Sequence, residues 1–416
     1  MSLPRVLLLG GTLDAHCVGE MYLRQLCKHY PGFLARYALT TNPFSTLPDS
    51  WLGFPLEAFH LPREHGAFRL GRASRWPSGA VLHEGLRHLL SPVLVRRIAD
   101  FGRSHRVDLV WAVLNGPLAI YLSHRVAQAL GAPLVGTIWD PPESFVEQKG
   151  LDPWSADRLM VEYRKALARG TRFGMASQGM ADDYAARYGA VGKSMILGIE
   201  PDNLKPLPQD YTDDHRFVIG FAGNVYAKNE FRLLLKTLAA TRWRVAGKDV
   251  VLRMMGPGIN QQAVGPMRLE YRGFQSLEDT IDILAGCDIS YVPYWFDPAY
   301  RYSTRVCFPG KISTSLAAGR PVLFHGPKEA SPTAFLAHWP AGRCCHSLEE
   351  RDLLDALKAM AGDRDAYLAM AAAGRLAITE ELSQAVFLER FAWLIGIDPA
   401  SLLTDPRPED FRGITP

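Results

Sequence analysis

Short continuous apolar runs recur along this chain, and most of them end in a glycine, proline or asparagine turn that opens a helical pattern. Val6-Leu7-Leu8-Leu9 passes into Gly10-Gly11-Thr12 and then a helical stretch to about His29. Tyr37 to Thr40, Asp108 to Val113, Pro133 to Ile138, Phe173 to Ala176 and Ser194 to Leu197 read as further strands, with Asn42 to Trp51 as loop. Strands buried on both faces, alternating with helices, are the signature of a parallel sheet covered on both sides. The pattern breaks at Pro201, Pro206 and Pro208 and a polar stretch to His215, then restarts at Phe217 to Ala222. Val250 to Met255, Leu269 to Arg272, Asp288 to Pro293 and Val322 to Phe324 continue it. The expectation is an α/β chain of two Rossmann-like βαβ domains, residues 1–208 and 209–383. A helix within 384–404 is expected to cross back to the first domain, and 405–416 reads as a loosely ordered tail.

Bulk properties narrow the function. A net charge of +3 is too small to imply a nucleic-acid partner. Six cysteines without Cys-x-x-Cys spacing fit reduced thiols in a cytoplasmic protein rather than a disulfide framework. Met1 to Gly11 reads as a first strand, not an export signal, and no apolar stretch has the length of a membrane span. Residues 63–106 stand out, with nine arginines against three acids and no lysine. Arginine interleaved with Phe68, Trp76 and an apolar set suits phosphate groups or an anionic membrane surface; the competing reading is a solvated helical face.

Three places carry candidate chemistry. Phe308-Pro309-Gly310-Lys311 begins a helix that should stop at Gly319 before the strand Val322-Leu323-Phe324. Free N–H groups beside the Lys311 cation make a phosphate environment. Ligands of open α/β sheets bind outside the carboxyl ends of strands. Asp140 and Glu143, in Trp139-Asp140-Pro141-Pro142-Glu143, stand at such an end and are the candidate catalytic carboxylates; a proline-held surface loop is the alternative. Gly10 and Gly11 would let a ligand approach the backbone, without completing a dinucleotide fingerprint. No convincing Asp-x-Asp metal pair is present; Asp182-Asp183 and Asp213-Asp214 read as a helix face and a linker.

Four separated runs agree with one another: Phe221-Ala222-Gly223-Asn224 with Lys228-Asn229, Tyr271 to Asp279, Leu284 to Ile289, and Phe308 to Leu323. In order and spacing this set resembles the retaining nucleotide-sugar glycosyltransferases of the GT-B fold, especially family 4 and its relatives. The likeness covers about 180 to 330; the N-terminal half matches in layout only. It implies two domains facing across a cleft, a nucleotide-sugar donor (UDP- or GDP-sugar) as substrate with no cofactor required, and a sugar, lipid-linked or small-molecule hydroxyl acceptor. By the resemblance Lys228 and Lys311 hold the donor diphosphate, with Gly223 and Asn224 beside them. Phe274 and Gln275 frame the base, and Thr314 faces the ribose. Fixed cations and N–H groups would supply metal-independent electrostatic stabilisation of the leaving group. A cytoplasmic protein touching the inner membrane face through 63–106 and acting in polysaccharide or glycolipid biosynthesis is the matching expectation.

The chain departs from the family at Val306 and Thr314, where glutamates usually stand, and at Trp139, where a histidine is usual. Two alternatives therefore remain: a catalytically weak or inactive relative that binds a nucleotide sugar or a protein partner, and a nucleotide-sugar 2-epimerase.

Overall fold

In a computed structural model, residues 3–11, 13, 17–40, 50–60, 77–147, 151–256 and 268–408 are described. Contacts divide the chain into two units, one made of Met1–Met195 with Phe387–Pro416 and the other of Ile196–Val386.

The first unit is built on eight strands: β1 (Val6–Leu9), β2 (Leu34–Thr40), β3 (Ser50–Trp51), β4 (Phe54–His60), β5 (Leu109–Val113), β6 (Leu134–Ile138), β7 (Gly170–Met175) and β8 (Gly192–Ser194). Their order is β3-β4-β2-β1-β5-β6-β7-β8, parallel except for the β3–β4 hairpin. Every residue of β1, β5 and β6 is buried, as strands covered on both faces must be. From β1 the chain first builds outward through β2 and β4, then crosses to β5 on the other side. The carboxyl ends of β1 and β5 thus flank a switch point, where α/β sheets place ligands.

The second unit contains β9 (Arg216–Ala222), β10 (Arg244–Val245), β11 (Lys248–Met255), β12 (Leu269–Tyr271), β13 (Ile289–Pro293), β14 (Val322–His325) and β15 (Gly342–Cys345). The order is β10-β11-β9-β13-β14-β15, with β12 also paired to β11. Here the direction reverses between β9 and β13. Alternation along β9 sorts its side chains into two cores: Phe217, Ile219 and Phe221 enter one, Val218 the other. Asp288, buried just before β13, holds the entry to β9. Its carboxylate accepts from Thr212 N at 2.7 Å, Thr212 Oγ1 at 2.9 Å and Val218 N at 2.6 Å.

Several expectations shift. Phe54–His60 and Ser50–Trp51 are strands that the prolines Pro48 and Pro55 masked; 41–49 lie outside the described residues. Residues 196–208, expected to close the first domain, cluster with the second unit. The reason is backbone pairing: Ile199 N donates to Leu382 O at 2.8 Å, and Lys205 N to Ala317 O at 3.0 Å. The segment after Phe387 clusters with the first unit, Phe391 packing on Trp111 with ring centroids 5.2 Å apart. Part of the expected tail is docked as well: Arg407 N donates to Lys28 O at 2.9 Å, and its guanidinium lies over the Phe54 ring at 4.7 Å. All six cysteines are unbridged.

Candidate functional site

The second unit gathers its candidate residues at the carboxyl ends of β9, β11 and β12. Three backbones are laced there: Gly223 N donates to Met255 O and Gly256 N to Gly273 O, both at 2.8 Å. The lacing demands glycine. Gly223 has φ +84° and Gly256 φ +145°, and a methyl group on Gly256 would stand 2.6 Å from the Gly223 carbonyl oxygen. Side chains rarely adopt such φ values, and strained backbone costs about 1–3 kcal/mol. Gly256→Ala is therefore expected to lower the unfolding free energy by at least that much. Gly247→Ala is the control, since Gly247 also has positive φ (+80°) but nothing within 4 Å. Equal losses in the two variants, read by denaturant unfolding, would show that the close approach of the strand ends is unimportant.

Lys311 opens the short helix Lys311–Ala317 and reaches back to this place. Its Nζ donates to the Asn224 carbonyl oxygen at 2.7 Å, and lies 4.2 Å from the Phe221 ring centre and 4.8 Å from that of Tyr226. The side chain is half-buried overall, with its charged end under the two rings. Burial pushes the ammonium down from 10.5 to about 7. The carbonyl and the ring faces favour the cation and oppose that shift. Among the described residues no carboxylate stands within ion-pair distance of Lys311. The result is a poised cation without a counter-anion.

Lys228 lies at the first position of the helix Lys228–Ala240, exposed, with Asn224 also exposed nearby in sequence. Phe274 is 54% exposed, and Gln275 Nε2 donates back to the Arg272 carbonyl, so Phe274 presents a ring to solvent beside Gly273. Thr314 is partly committed: its hydroxyl donates to Gly310 O at 3.2 Å. Val306 is fully buried, so that position offers nothing to a ligand.

Sequence reasoning passed over the aromatic wall of this site. Tyr226, Tyr294, Trp295 and Tyr300 form a run of rings, Tyr226–Trp295 at 4.7 Å and Trp295–Tyr300 at 4.8 Å. Trp295 Nε1 donates to Tyr226 O at 3.1 Å. Buried Glu230 fixes the loop after β13 by accepting from Phe296 N at 2.8 Å. The triplet Tyr294-Trp295-Phe296 at a strand's carboxyl end was the available signal.

In the first unit, Gly10 and Gly11 follow β1 with φ +93° and +76°. Their neighbours are the protein's own groups, a methyl on Gly11 meeting the Leu23 side chain at 2.9 Å. Beneath them lies a network invisible in the sequence. Glu20 accepts from Arg24 Nε at 2.9 Å, Arg36 Nη1 at 3.0 Å and Nη2 at 2.7 Å, and Trp51 Nε1 at 2.7 Å. Asp140 follows β6, half-buried, and among the described residues no ion pair engages it. Glu143 is partly committed to Arg187 at 3.0 Å, while its Oε2 is buried without a partner among the described residues. Trp139 is a packing residue: it meets Tyr22 edge-on at 5.3 Å, and a methyl on Gly19 would strike its ring at 2.5 Å.

Of the arginine-rich segment, Arg63, Arg69, Arg72 and Arg75 lie outside the described residues. Arg87 is buried against Glu84; Arg97 pairs with Glu57 at 3.1 Å and Arg103 with Asp100 at 2.8 Å. Among the described residues no helix is long and apolar enough to cross a membrane, and no cluster of His, Cys, Asp and Glu is arranged to hold a metal ion.

No family model and no curated protein matches the sequence. Solved structures do match. HepE of Anabaena, in complex with UDP and glucose, is 17% identical with a TM-score of 0.65, over 94% of this chain and 99% of that one. Sucrose-phosphate synthase from Thermosynechococcus elongatus is 13% identical with a TM-score of 0.66, over 94% and 98%. Trehalose 6-phosphate synthase from Burkholderia multivorans is 12% identical with a TM-score of 0.63, over 95% and 98%. These neighbours are GT-B glycosyltransferases, and the two parallel-sheet units of this chain have the GT-B fold.

Proposed function

We propose that the protein is a glycosyltransferase that moves a sugar from a nucleotide-sugar donor to a hydroxyl acceptor, with retention and without a required metal. The observation that carries this is Lys311: a half-buried ammonium at a strand-end switch point, facing no carboxylate among the described residues. A diphosphate supplies the missing anion. As the bond from sugar C1 to the diphosphate oxygen breaks, charge grows on the diphosphate. Lys311 and Lys228 stabilise it, and the acceptor hydroxyl oxygen forms the new bond to C1. Asp140 and Glu143 are proposed to position the acceptor hydroxyl and take its proton. Gly223 and Asn224 lie against the phosphates. The exposed Phe274 and the adjacent Gln275 lie against the base, and Thr314, which retains an acceptor lone pair, against the ribose. The binding of UDP and UDP-glucose by HepE supports a UDP-sugar as donor.

A second reading has its own observation. With Val306 buried and Thr314 bonded to its own helix, neither of the family's glutamate positions offers a carboxylate. A protein that binds a nucleotide sugar without turning it over fits that as well. A panel of UDP- and GDP-sugars, assayed for donor hydrolysis and transfer alongside calorimetric binding, separates the two. Turnover of any donor supports the transferase; tight binding with no turnover supports the binding protein. Binding of no nucleotide diphosphate at all removes both.

A further inference from the structure

We propose that the first unit docks on an anionic lipid bilayer through the outer face formed by the helices Pro77–Ser104 and Pro153–Arg169. Among its described side chains, the first of these helices buries one side only. Its opposite side carries Val81, Leu89 and Val93, spaced by eight and then four residues, so the three share one broad helix face. They are 57%, 75% and 64% exposed, values unusual for aliphatic side chains clustered on one helix. Arg96 follows on the same face, its side chain 87% exposed and 3.9 Å from the Asp100 carboxylate. The second helix adds Trp154 and Val161, 44% and 49% exposed. The two helices meet at this surface: Arg158 donates to His88 Nε2 at 3.0 Å and lies over the Trp154 ring at 5.0 Å.

Charge chooses the occupant. The two helices contain eight arginines and lysines and four acids. Glu84 is buried together with its partner Arg87, and Glu162 is buried with His124 and Lys165 on it. Of the exposed residues, Arg96 and Arg103 share Asp100 and Arg97 meets Glu57, whereas Arg158, Arg164 and Arg169 stand against Asp157, so the outward surface keeps a basic surplus with aliphatic and tryptophan side chains between the charges. Arginine guanidinium groups pair with lipid phosphates, tryptophan favours the headgroup level, and the aliphatic face enters the acyl boundary. A protein groove would match the aliphatic face; an anionic bilayer matches both the face and the surplus charge. The contact is independent of glycosyl transfer, so either proposal can fail alone.

Flotation of the intact chain with phosphatidylcholine vesicles, with and without phosphatidylglycerol, tests it. Binding is expected only with the anionic lipid and is expected to weaken steeply with added salt. Replacing Arg96 or Arg158 by Gln should lower partitioning roughly fivefold per arginine, and Leu89→Ser with Val93→Ser should lower it further. These exposed substitutions should leave the thermal transition where it is, which separates lost binding from lost folding. Equal binding to neutral vesicles, insensitivity to salt, or no vesicle binding overturns the proposal. So does a wild-type dimer that Leu89→Ser with Val93→Ser converts to monomer, for that would make the face a contact between two copies of this chain.

Discussion

Replacing Lys311 by Met is expected to cut turnover about 100- to 1,000-fold, the loss typical of removing one preorganised charge from a transition state. Affinity for a nucleotide diphosphate should fall with it, while the protein remains folded. The free ammonium titrates at about 7 because burial disfavours its charge. An anion beside it favours the charged form, so above pH 7 each bound diphosphate draws in a proton. The dissociation constant should then rise about tenfold per pH unit from 7 towards 9. In Lys311→Met that slope should vanish. The stability effect runs the other way from the usual salt bridge. Unfolded lysine titrates at 10.5, so the cost of burying the cation is fully present below pH 7 and fades as pH climbs to 10.5. Below pH 7 the variant should therefore unfold later than the wild type. Calorimetric titration of UDP across pH, with thermal melts at the same values, checks both. A pH-independent dissociation constant in the wild type would remove Lys311 from the phosphate site.

The largest loss of stability is expected from Glu20→Ala. Arg36 and Glu20 have side chains with 0% exposure, and Arg24 and Trp51 converge on the same carboxylate. Removing one partner of a buried ion pair typically costs about 3–5 kcal/mol, because the other charge stays buried. Replacing both, as Glu20→Leu with Arg36→Met, should recover the part of that loss that comes from the stranded Arg36 charge, while Arg24 and Trp51 still lack their acceptor. Chemical denaturation of the three variants gives the comparison. If Glu20→Ala costs under about 1 kcal/mol, water must reach the guanidinium and the network contributes little.

The parallel sheets were legible because their evidence is local. Val6–Leu9, Leu109–Val113 and Leu134–Ile138 are continuous apolar runs of strand length between turn residues, and all three are central strands. The edge strands were not, since Ser50–Trp51, Arg244–Val245 and Gly342–Cys345 are short and take polar or small residues. The same division holds in the site. Gly223, Asn224 and Lys311 announced themselves by motif, and the structure brings Lys311 to the Asn224 carbonyl at 2.7 Å across 87 residues of chain. Asp288 was also read as part of a motif, but its carboxylate is spent on Thr212 and Val218, an architectural task. What could not be read is what depends on distant partners. Glu20 looks like any acid in a first helical turn until Arg36 and Trp51 fold onto it. Trp139 looks like a lost catalytic residue until Gly19 is found against its ring.

The discontinuous first unit imposes an order in time. Its sheet is complete in sequence by Ser194, but Phe387 and Phe391, which pack on Tyr22 and Trp111, emerge only after the whole second unit has been made. At ordinary elongation rates that is a delay of roughly ten to forty seconds. The second unit, contiguous from Ile196 to Val386, can fold as it leaves the ribosome, whereas the first must wait with Trp111 uncovered on that side. The nascent chain is therefore most exposed to aggregation while its second unit is already finished. Chaperone demand should concentrate on the N-terminal portion of the polypeptide during synthesis.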